Sequence, residues 1–450
     1  MKNFSAVILA AGSGTRMKSS LPKVAHKLSG KPLIHWVIDS VKALKPDNIV
    51  VVLGHKSEEV EKILEEKKVK IAYQHKQLGS AHALMQCQKV LKNYKGDILV
   101  MCGDVPLVKT STLSSLVKYN KNNKASVTVL AAKVDNPYGY GRIVKAGTAL
   151  EKIVEEKDAT AQEKLINEIN SGIYCFDNNI WKALSKVKPD NAKKEYYLTD
   201  VIEILKKAGK KAVSLNAENA SDLRGINNRF ELYKAEKALL KAKIAALFDS
   251  GVTIINAKNI YVSYDAQIGR DTVIYPEAFI DSGVKIGKNC VIKGSTYIKN
   301  SVIGDNVTVS YSYVEGAKIA KNSKIGPFSH IRPGSVLKEN VKVGNFSETK
   351  KSVIEKNSKV NHLSYIGDAE IGENVNIGAG TITCNYDGKN KHKTVIGSNS
   401  FVGSNVNFVA PVNIGKGVLV AAGSTITSSI PSGKMAIARA RQELKQRKQK

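Results

Sequence analysis

The sequence predicts an α/β protein made of a Rossmann-like domain, a helical linker and a parallel β-helix of hexapeptide repeats. Over residues 1–228, strand-like and helix-like segments alternate, which is typical of a mostly parallel sheet with helices on both faces. Residues 229–250 lack glycine and proline, as expected of a long helix. Over residues 251–450, an apolar residue returns every six positions, a spacing that neither a helix nor an ordinary strand produces.

The first 228 residues contain short apolar runs that predict buried strands. The runs are Ala6–Ala10, Asn48–Leu53, Val69–Tyr73, Asp97–Cys102 and Ser126–Ala131. Between them, helices are predicted at Ser57–Lys67, Gly79–Leu91 and Thr110–Asn120, the first with a serine N-cap and an acidic first turn. Sheets of this kind bind ligands at the carboxyl ends of their strands, so we expect a ligand site there.

The six-residue repeat follows a predicted helix at Arg229–Ser250, for which Gly251 is the expected stop. Its three unbroken apolar series are Ile268, Ile274, Ile280, Ile286, Ile292 and Ile298; Ile319, Ile325, Ile331, Leu337 and Val343; and Ile396, Val402, Phe408, Ile414, Val420 and Ile426. Glycine often follows the apolar residue, and we expect it to help the backbone turn a corner. With three hexapeptides per coil, the repeat allows about ten coils.

One segment interrupts the repeat. Residues Thr381–Lys393 (TITCNYDGKNKHK) are polar and are predicted to loop out of the coil. Solenoids often carry such insertions on their binding face, although a harmless excursion is the alternative.

The composition, with 42% hydrophobic and 24% charged residues, is that of a soluble protein, and the five scattered cysteines indicate a reducing compartment, so we expect a cytoplasmic location. No stretch approaches the length of a membrane span, so we expect no stable membrane insertion. The formal net charge of +29 could indicate a nucleic-acid partner. Because the cations are dispersed and aromatic residues make up only 6%, we favour a solvated lysine-rich surface and no nucleic acid.

A short glycine loop, Leu9–Met17 (LAAGSGTRM), follows the first predicted strand. Its backbone amides could face phosphate oxygens, and Arg16 and Lys23 add cations that suit a triphosphate and a departing pyrophosphate. It is neither a Walker A loop nor the dinucleotide fingerprint, because Met17 stands where the third glycine would be. A glycine loop alone is weak support for a site.

The loop and the motifs after it resemble a known family. The motifs are LAAGSGTRM with Leu21-Pro22-Lys23, QLGSAHAL (77–84), CGDVPL (102–107), YGRI (140–143), IVEEKDAT (153–160), EINSGIY (168–174), EYYLTD (195–200) and GINNR (225–229). With the hexapeptide half, they resemble the bifunctional bacterial N-acetylglucosamine-1-phosphate uridyltransferase/glucosamine-1-phosphate acetyltransferase family. The resemblance implies a nucleotidyltransferase domain, a left-handed β-helix, a homotrimer and active sites between neighbouring chains.

The resemblance also implies the residues of a uridyltransferase site that uses UTP and N-acetylglucosamine-1-phosphate. The implied contacts are Leu9, Ala10, Ala11 and Gly12 for uracil and phosphates; Arg16 and Lys23 for the triphosphate; Gln74, Gly79 and Ser80 for uracil; Gly141, Glu155 and Asn170 for the sugar; and Asp104 and Asn227 for Mg²⁺. Cys102 and Gly103, which precede the metal carboxylate, are further implied nucleotide or sugar contacts. The family commonly has tyrosine at the position of Cys102, so a contact through a phenol would be lost here.

For the second site, the sequence KVNHLSYIGDAEIG (359–372) is close to the family's segment around its catalytic histidine. The resemblance implies that His362 is the general base of acetyl transfer from acetyl-CoA to glucosamine-1-phosphate. The implied sugar-phosphate contacts are Arg332, Lys350, Tyr365, Asn376 and Lys391. The implied acetyl-CoA contacts are Ala379, Asn385, Tyr386, Ser404, Ala422 and Arg439.

Two alternatives remain at this stage. The chain could be a single-activity sugar-1-phosphate nucleotidyltransferase whose β-helix serves oligomerisation or regulation. It could also be a basic nucleic-acid-binding protein, an interpretation that depends on charge alone.

Overall fold

The computed structural model describes residues 3–147 and 149–447. The basic run that the sequence shows at residues 439–450 extends beyond this range, because residues 448–450 lie outside the described residues. The chain divides into two compact units between Glu236 and Lys237. The domain limits at residues 228 and 250 remain predictions. In the described part of the chain, no helix is both long and apolar enough to cross a membrane.

The first unit contains a nine-stranded mixed sheet. The strands of this unit are β1 (Phe4–Leu9), β2 (Lys27–Leu28), β3 (Lys31–Pro32), β4 (Asn48–Leu53), β5 (Lys70–Tyr73), β6 (Asp97–Cys102), β7 (Val127–Lys133), β8 (Arg142–Ala146), β9 (Ala149–Val154), β10 (Glu168–Phe176) and β11 (Ala212–Asn216). The order is β11-β7-β10-β6-β1-β4-β5, with β8 joining β10 and β9, while β2 and β3 form a separate pair. The five predicted strands are present, with shifted ends for three of them.

Strand direction follows the prediction in part. Strands β6, β1, β4 and β5 are parallel to their neighbours in this order, whereas β10 is antiparallel to both β6 and β7. Alternate residues of the parallel strands enter two apolar clusters, so that Val7 belongs to one and Ile8 to the other. The expected covering of both sheet faces is therefore confirmed.

The helices are α1 (Leu33–Lys42), α2 (Ser57–Leu64), α3 (Ser80–Met85), α4 (Thr110–Asn122), α5 (Ile180–Leu184), α6 (Asp200–Lys207) and α7 (Arg229–Asp249). Short 3₁₀ turns occur at Thr15–Met17, Lys23–Ala25, Glu65–Lys67, Glu163–Leu165, Ala220–Leu223 and Ala257–Asn259. The expected serine cap of α2 is wrong, because Ser57 is the first helical residue and Lys56 occupies the cap position, where its side chain makes no capping hydrogen bond. The stop at Gly251 is confirmed by its left-handed φ of 82° directly after α7.

The second unit is built from three parallel sheets in which each strand pairs with the third strand along the chain, except that β39 pairs with β41. The first sheet contains β12 (Thr253–Ile254), β15 (Val273–Ile274), β18 (Val291–Lys293), β21 (Thr308–Ser310), β24 (Lys324–Ile325), β27 (Lys342–Asn345), β30 (Lys359–His362), β33 (Asn376–Ile377), β36 (Phe401–Val402), β39 (Leu419–Val420) and β41 (Met435–Ala436). The second contains β13 (Tyr261–Val262), β16 (Phe279–Ile280), β19 (Tyr297–Lys299), β22 (Tyr313–Glu315), β25 (His330–Ile331), β28 (Glu348–Lys350), β31 (Tyr365–Gly367), β34 (Ile382–Cys384), β37 (Asn407–Val409) and β40 (Thr425–Ile426). The third contains β14 (Gln267–Ile268), β17 (Lys285–Ile286), β20 (Val302–Ile303), β23 (Lys318–Ile319), β26 (Val336–Leu337), β29 (Val353–Ile354), β32 (Ala369–Ile371), β35 (Thr394–Ile396) and β38 (Val412–Ile414).

The six-residue series forms the core of this unit. All its members except Ile268, which is half-buried, are buried in one apolar cluster. The glycines that follow these apolar residues were expected to help the backbone turn a corner, but the structure shows another reason for them. An added Cβ at Gly269 would stand 2.7 Å from the backbone of Gly287, and one at Gly378 would stand 2.5 Å from Gly403. Close stacking of successive coils, rather than a corner conformation, therefore requires glycine there.

The insertion begins later than the sequence predicts. Thr381 and Thr383 are buried and Ile382–Cys384 forms β34, so these residues continue the coil. The chain leaves the coil at Asn385 and returns with β35. Threonine can fill an inward position of the coil, which a polarity argument does not foresee.

Candidate active sites

A cavity of about 340 Å³ lies in the N-terminal unit where β1 and β6 end. Ten of the residues singled out in the sequence line it: Leu9, Ala10, Ala11, Gly12, Lys23, Gln74, Gly79, Ser80, Cys102 and Asp104. Ser13, Val24, Gln77, Ala83 and Glu195, which were not predicted, also line it. A cavity thus lies at the strand ends where a ligand site was expected.

Glycines shape the loop after β1. The space beside Gly12 is open, because an added Cβ would meet no atom within 4 Å. Gly14 has a left-handed φ of 61°, and an added Cβ would stand 2.6 Å from Lys23 Cβ. The N–H of Gly103 donates to the carbonyl of Leu9 over 2.9 Å and ties the loop to the end of β6. The loop can therefore lie close to Lys23 at the cavity.

Lys23 connects two oxygen donors that are far apart in the sequence. Its ammonium forms an ion pair with Asp104 and lies 3.3 Å from Asn227 Oδ1. The same Oδ1 accepts a 2.9 Å hydrogen bond from Arg16 Nη2. The N–H of Ile226 donates to the Asp104 carbonyl over 2.8 Å and holds the segment in place. The structure therefore brings all four implied phosphate and metal residues together.

This set of donors fits a magnesium ion. A carboxylate oxygen and an amide oxygen already converge on one cation, the Lys23 ammonium. An added Cβ at Gly225 would stand 3.5 Å from both Asp104 oxygens, so glycine leaves space beside them. Mg²⁺ binds through one or two protein oxygens and keeps several waters. The described residues contain no group of three or more His, Cys, Asp or Glu side chains placed to hold a metal.

Gln74 and the start of α3 form another wall of the cavity. Gln74 is 3% exposed, and its amide nitrogen lies 3.0 Å from the Gly79 carbonyl oxygen and 3.0 Å from His82 Nδ1. Gly79 has φ of 117°, and an added Cβ would stand 2.5 Å from the Tyr196 carbonyl oxygen. Ser80 follows as the first residue of α3. Glycine is therefore needed where this wall contacts the segment around Tyr196.

Gly141, Glu155 and Asn170 form a second group, which does not line this cavity. The N–H of Asn170 donates to the Gly141 carbonyl over 2.8 Å, and an added Cβ at Gly141 would stand 3.4 Å from Glu155 Oε1. Burial raises the pKa of Glu155. Asn170 Nδ2 donates to the Tyr174 hydroxyl over 2.7 Å. The three implied sugar residues thus lie together.

Cys102 lies between the cavity and this second group. Burial, and then the neighbouring Asp104 carboxylate, raise the pKa of its thiol to about 12, so the thiol is neutral. An added Cβ at Gly172 of β10 would stand 3.8 Å from Cys102 Sγ. A small neutral side chain therefore stands where the family commonly has a phenol.

In the second unit, His362 is the last residue of β30 and is exposed. Its Nδ1 lies 2.7 Å from Oδ1 of Asn345, its pairing partner on the preceding coil. Because an amide oxygen only accepts, Nδ1 carries the proton and Nε2 keeps its lone pair. Gly380 donates its N–H to the His362 carbonyl over 3.3 Å. The coil thus holds the tautomer that can accept a proton at Nε2.

Three of the implied sugar-phosphate residues form a cluster of cations. The pKa of Lys350 is lowered, most strongly by the neighbouring Lys391 ammonium and then by burial and by the positive charge of Arg332. Arg332 Nη1 lies 2.7 Å from Glu348 Oε1, and Glu348 pairs with Tyr365 on the next coil. An anion such as a phosphate would relieve the crowding of these positive charges.

Four of the implied acetyl-CoA residues lie on successive coils. The residue after Ser404 donates its N–H to the Ala379 carbonyl over 2.7 Å, and the residue after Ala422 donates to the Ser404 carbonyl over 2.8 Å. Arg439 Nη1 donates to the Ala422 carbonyl over 2.8 Å. These contacts place a row of small side chains next to one guanidinium.

The remaining implied residues lie apart from that row. Asn376 begins β33, which pairs with β30. Asn385 and Tyr386 lie in the inserted loop, where the Asn385 amide bonds to the Asp368 carboxylate and Tyr386 forms a bridge with Lys391. Within the described residues, no hydrogen bond or ion pair joins the imidazole of β30 to the cation cluster.

Comparison with known proteins assigns the chain to a family. Residues 5–239 match the nucleotidyl transferase family, residues 256–345 the GMPPB C-terminal domain, and residues 393–428 six bacterial transferase hexapeptide repeats. The bifunctional protein GlmU of Halalkalibacterium halodurans is 48% identical over 448 residues, which cover 99% of this chain and 98% of that protein. The chain belongs to the GlmU family of bifunctional proteins. GlmU of Acetivibrio thermocellus is 47% identical over 448 residues, covering 99% and 97%.

Membership of the GlmU family makes the chain a bifunctional transferase, with a uridyltransferase and an acetyltransferase. Among solved structures, a UDP-glucose pyrophosphorylase complexed with UDP-glucose is 19% identical, with a TM-score of 0.44 over 54% of this chain and 100% of that one. That likeness is too low to support any conclusion about activity.

The sequence-based search missed several residues that contact the implied sites of this GlmU-family protein. Asn345 stands 17 residues before His362, one residue short of three hexapeptides, so the six-residue spacing did not identify it. His82 and Tyr174 lie inside the motifs named above. His82 contacts Gln74 from another segment, whereas Tyr174 contacts Asn170 four residues away on the same strand. A pattern along the chain carries no signal for the first of these contacts.

Proposed function

We propose that this GlmU-family enzyme makes UDP-N-acetylglucosamine in two steps at two separate sites. The second unit transfers the acetyl group of acetyl-CoA to glucosamine-1-phosphate. The first unit then transfers the uridylyl group of UTP to N-acetylglucosamine-1-phosphate and releases pyrophosphate. The observation that carries this proposal is that relatives named bifunctional match 99% of the chain, through both its nucleotidyltransferase and its hexapeptide half.

In uridylyl transfer, a phosphate oxygen of the sugar attacks the α-phosphorus of UTP as the bond to pyrophosphate breaks in line, so no protein nucleophile is needed. Arg16 and Lys23 stabilise the departing charge. The other proposed contacts are Leu9, Ala10, Ala11 and Gly12 for uracil and phosphates, Gln74, Gly79 and Ser80 for uracil, and Gly141, Glu155 and Asn170 for the sugar.

Asp104 and Asn227 are the proposed protein ligands of Mg²⁺. When bound, the ion supplies positive charge that polarises the phosphoryl oxygens. The Lys23 ammonium contacts both of these residues. It is therefore close enough to leave Asp104 and bind a phosphate oxygen of UTP instead.

In acetyl transfer, the amine nitrogen of the sugar forms a bond to the thioester carbonyl carbon and the carbon–sulfur bond breaks. His362 Nε2 takes one proton from the amine, and that proton passes to the sulfur of CoA. Asn345 supports this role because it engages Nδ1. The proposed sugar-phosphate contacts are Arg332, Lys350, Tyr365, Asn376 and Lys391, and those to acetyl-CoA are Ala379, Asn385, Tyr386, Ser404, Ala422 and Arg439.

The assembly and setting are also proposals. We expect a homotrimer of left-handed β-helices with acetyltransferase sites between neighbours, a cytoplasmic location, and a product that is a precursor of bacterial envelope polymers. We assign uridylyl transfer to residues 1–228, the linker to 229–250 and acetyl transfer to 251–450.

The alternative of a single-activity nucleotidyltransferase predicts no coherent second site, and the arrangement around His362 disfavours it. A nucleic-acid-binding function would require steeply salt-dependent DNA binding at physiological ionic strength.

A coupled assay tests the proposal. Full-length protein is supplied with glucosamine-1-phosphate, acetyl-CoA, UTP and Mg²⁺, and each is omitted in turn. UDP-N-acetylglucosamine should form only with all of them, and N-acetylglucosamine-1-phosphate should replace the first two. His362→Ala should lose acetyl transfer and keep uridylyl transfer, while Asp104→Ala should do the reverse. Full uridylyl transfer by Asp104→Ala would contradict the metal assignment, and loss of both activities in either variant would indicate misfolding.

A further inference from the structure

The direction of the Gln74 side-chain amide is fixed by two acceptors. Its nitrogen lies 3.0 Å from the Gly79 carbonyl oxygen and 3.0 Å from His82 Nδ1. A carbonyl oxygen can only accept, so the nitrogen rather than Oε1 must face Gly79. The second N–H is then committed to His82. Both donors of the amide are used inside the protein, and no described residue donates to Oε1.

His82 is itself held from outside the cavity. It lies on α3 and does not line the cavity, whereas Gln74 does. Gln86 Nε2 donates to the His82 carbonyl over 2.9 Å and lies 3.3 Å from His82 Nε2. The ring of Tyr196 lies 6.3 Å from the imidazole. Because its own contacts are to protein groups, His82 can influence a ligand only through Gln74.

We infer that His82 is a positioning residue that selects the base of the nucleotide by holding Gln74 as a hydrogen-bond acceptor. This inference rests on the proposed role of Gln74 in binding uracil. Uracil N3 carries a hydrogen and donates, whereas cytosine N3 has a lone pair and accepts. An acceptor at Oε1 therefore bonds to uracil and repels cytosine, and a site built for one hydrogen-bond pattern rejects the other strongly.

Removal of the His82 acceptor weakens this selection. One N–H of the buried Gln74 amide is then left without a partner, which is costly in a buried position. The amide is then oriented by the Gly79 carbonyl alone, so its nitrogen can turn toward the base, where cytosine N3 can accept, at the cost of one hydrogen bond instead of two. UTP therefore loses its advantage over CTP, although His82 never contacts either nucleotide.

The test compares kcat/KM for UTP and CTP in full-length His82→Phe, His82→Asn and wild-type protein. In His82→Phe the UTP:CTP ratio should fall about tenfold, mainly through a higher KM for UTP. His82→Asn should restore most of the ratio, because its Oδ1 can accept near the position of Nδ1. The matched control is His35→Phe on α1, which removes a 2.7 Å contact to the Ile63 carbonyl of α2 and lies outside the cavity lining.

Retained uridylyl transfer with UTP and an unchanged thermal unfolding midpoint show that each variant is folded. An unchanged ratio in folded His82→Phe, or an equal fall in His35→Phe, overturns the inference. If His82→Phe unfolds, His82→Leu compared with His82→Asn carries the same test. Absence of uridylyl transfer in wild-type protein would instead contradict the proposed function itself.

Discussion

Tyr174 illustrates how a residue beside a proposed ligand contact determines what that contact can offer. Its hydroxyl accepts a 2.7 Å hydrogen bond from Asn170 Nδ2, while Asn170 Oδ1 accepts from the N–H of Gly172 over 3.0 Å. The Tyr174 ring stacks on Phe176 with centroids 5.5 Å apart. The Asn170 amide is held at both ends and keeps one N–H for a ligand.

We predict that Tyr174→Phe raises the KM for N-acetylglucosamine-1-phosphate several-fold and leaves the KM for UTP unchanged. The variant keeps the stacked ring and removes one hydrogen bond, which typically contributes about 1 kcal/mol. Steady-state kinetics of uridylyl transfer measure both constants. Tyr94→Phe, which removes a 2.7 Å bond to Asp47 elsewhere, is the control and should change neither KM. An unchanged KM for the sugar phosphate in Tyr174→Phe would contradict this prediction.

Asp200 provides a pH-dependent prediction. Burial, and then the Glu155, Glu203 and Asp158 carboxylates, raise its pKa from 3.8 to about 6. The folded state therefore favours protonated Asp200. The stability that this protonation contributes is fully present below pH 3.8 and is lost as the pH rises through about 6. Asp200→Asn should raise the thermal midpoint at pH 7, and the gain should vanish toward pH 4. Because the side chain is half-exposed, solvent screening limits the gain to about 1 kcal/mol. Equal gains at both pH values would refute this explanation.

At the scale of the β-helix coil, buried serine hydroxyls form hydrogen bonds with backbone N–H and carbonyl groups. Ser358 Oγ donates to the Gly372 carbonyl over 2.6 Å and accepts from the N–H of Val375 over 2.9 Å. The equally buried Ser347 hydroxyl has no hydrogen-bond partner among the described residues. Two serines with the same burial therefore differ in what their removal would leave unpaired.

We predict that Ser358→Ala lowers the free energy of unfolding by about 1–3 kcal/mol, because a buried N–H and a buried carbonyl lose their partner. Ser347→Ala should change it by less than about 0.5 kcal/mol, since no bond is lost. Urea unfolding followed by circular dichroism measures the shift in midpoint for both variants. A similar loss in the two would show that cavity formation, and not hydrogen bonding, determines the cost.

The β-helix was largely predictable because each coil repeats the same environment. The inward series from Ile274 onward defined the core, and its spacing gave about ten coils, in agreement with the eleven strands of the longest sheet. The contacts between coils were not predictable in the same way. The approach of Gly269 to Gly287 and the bond from His362 to Asn345 depend on register across coils, which varies with coil length.

In the N-terminal unit, the position of the cavity was predictable, but the grouping of the implied sugar residues was not. Its glycine loop and strand ends indicated where the cavity lies, because parallel strands bring their carboxyl ends together. The antiparallel strand β10, which carries Asn170 and Tyr174, gave no comparable signal. Its neighbours are set by chain topology, so the grouping of the implied sugar residues became visible only in the fold.

Over the whole molecule, the net charge of +29 is the largest single electrostatic feature. Part of it is ordered on the β-helix, where Lys324, Lys342 and Lys359 are exposed and paired on three successive coils. Asn376 continues this row on the next coil. Like charges in register repel one another, while together they attract anions. The row therefore adds positive potential beside Asn376, one of the proposed sugar-phosphate contacts.

We predict that kcat/KM for glucosamine-1-phosphate falls about threefold or more as salt rises from about 0.05 M to about 0.5 M, because screening removes long-range attraction. Lys342→Gln should reduce this salt dependence for acetyl transfer and leave that of uridylyl transfer unchanged. Lys285→Gln removes the same charge from an exposed position on a different sheet, next to Val302, and should have a smaller effect. Initial rates at several salt concentrations give the slopes. Equal slopes in the two variants would mean that net charge alone, and not the lysine row, attracts the substrate.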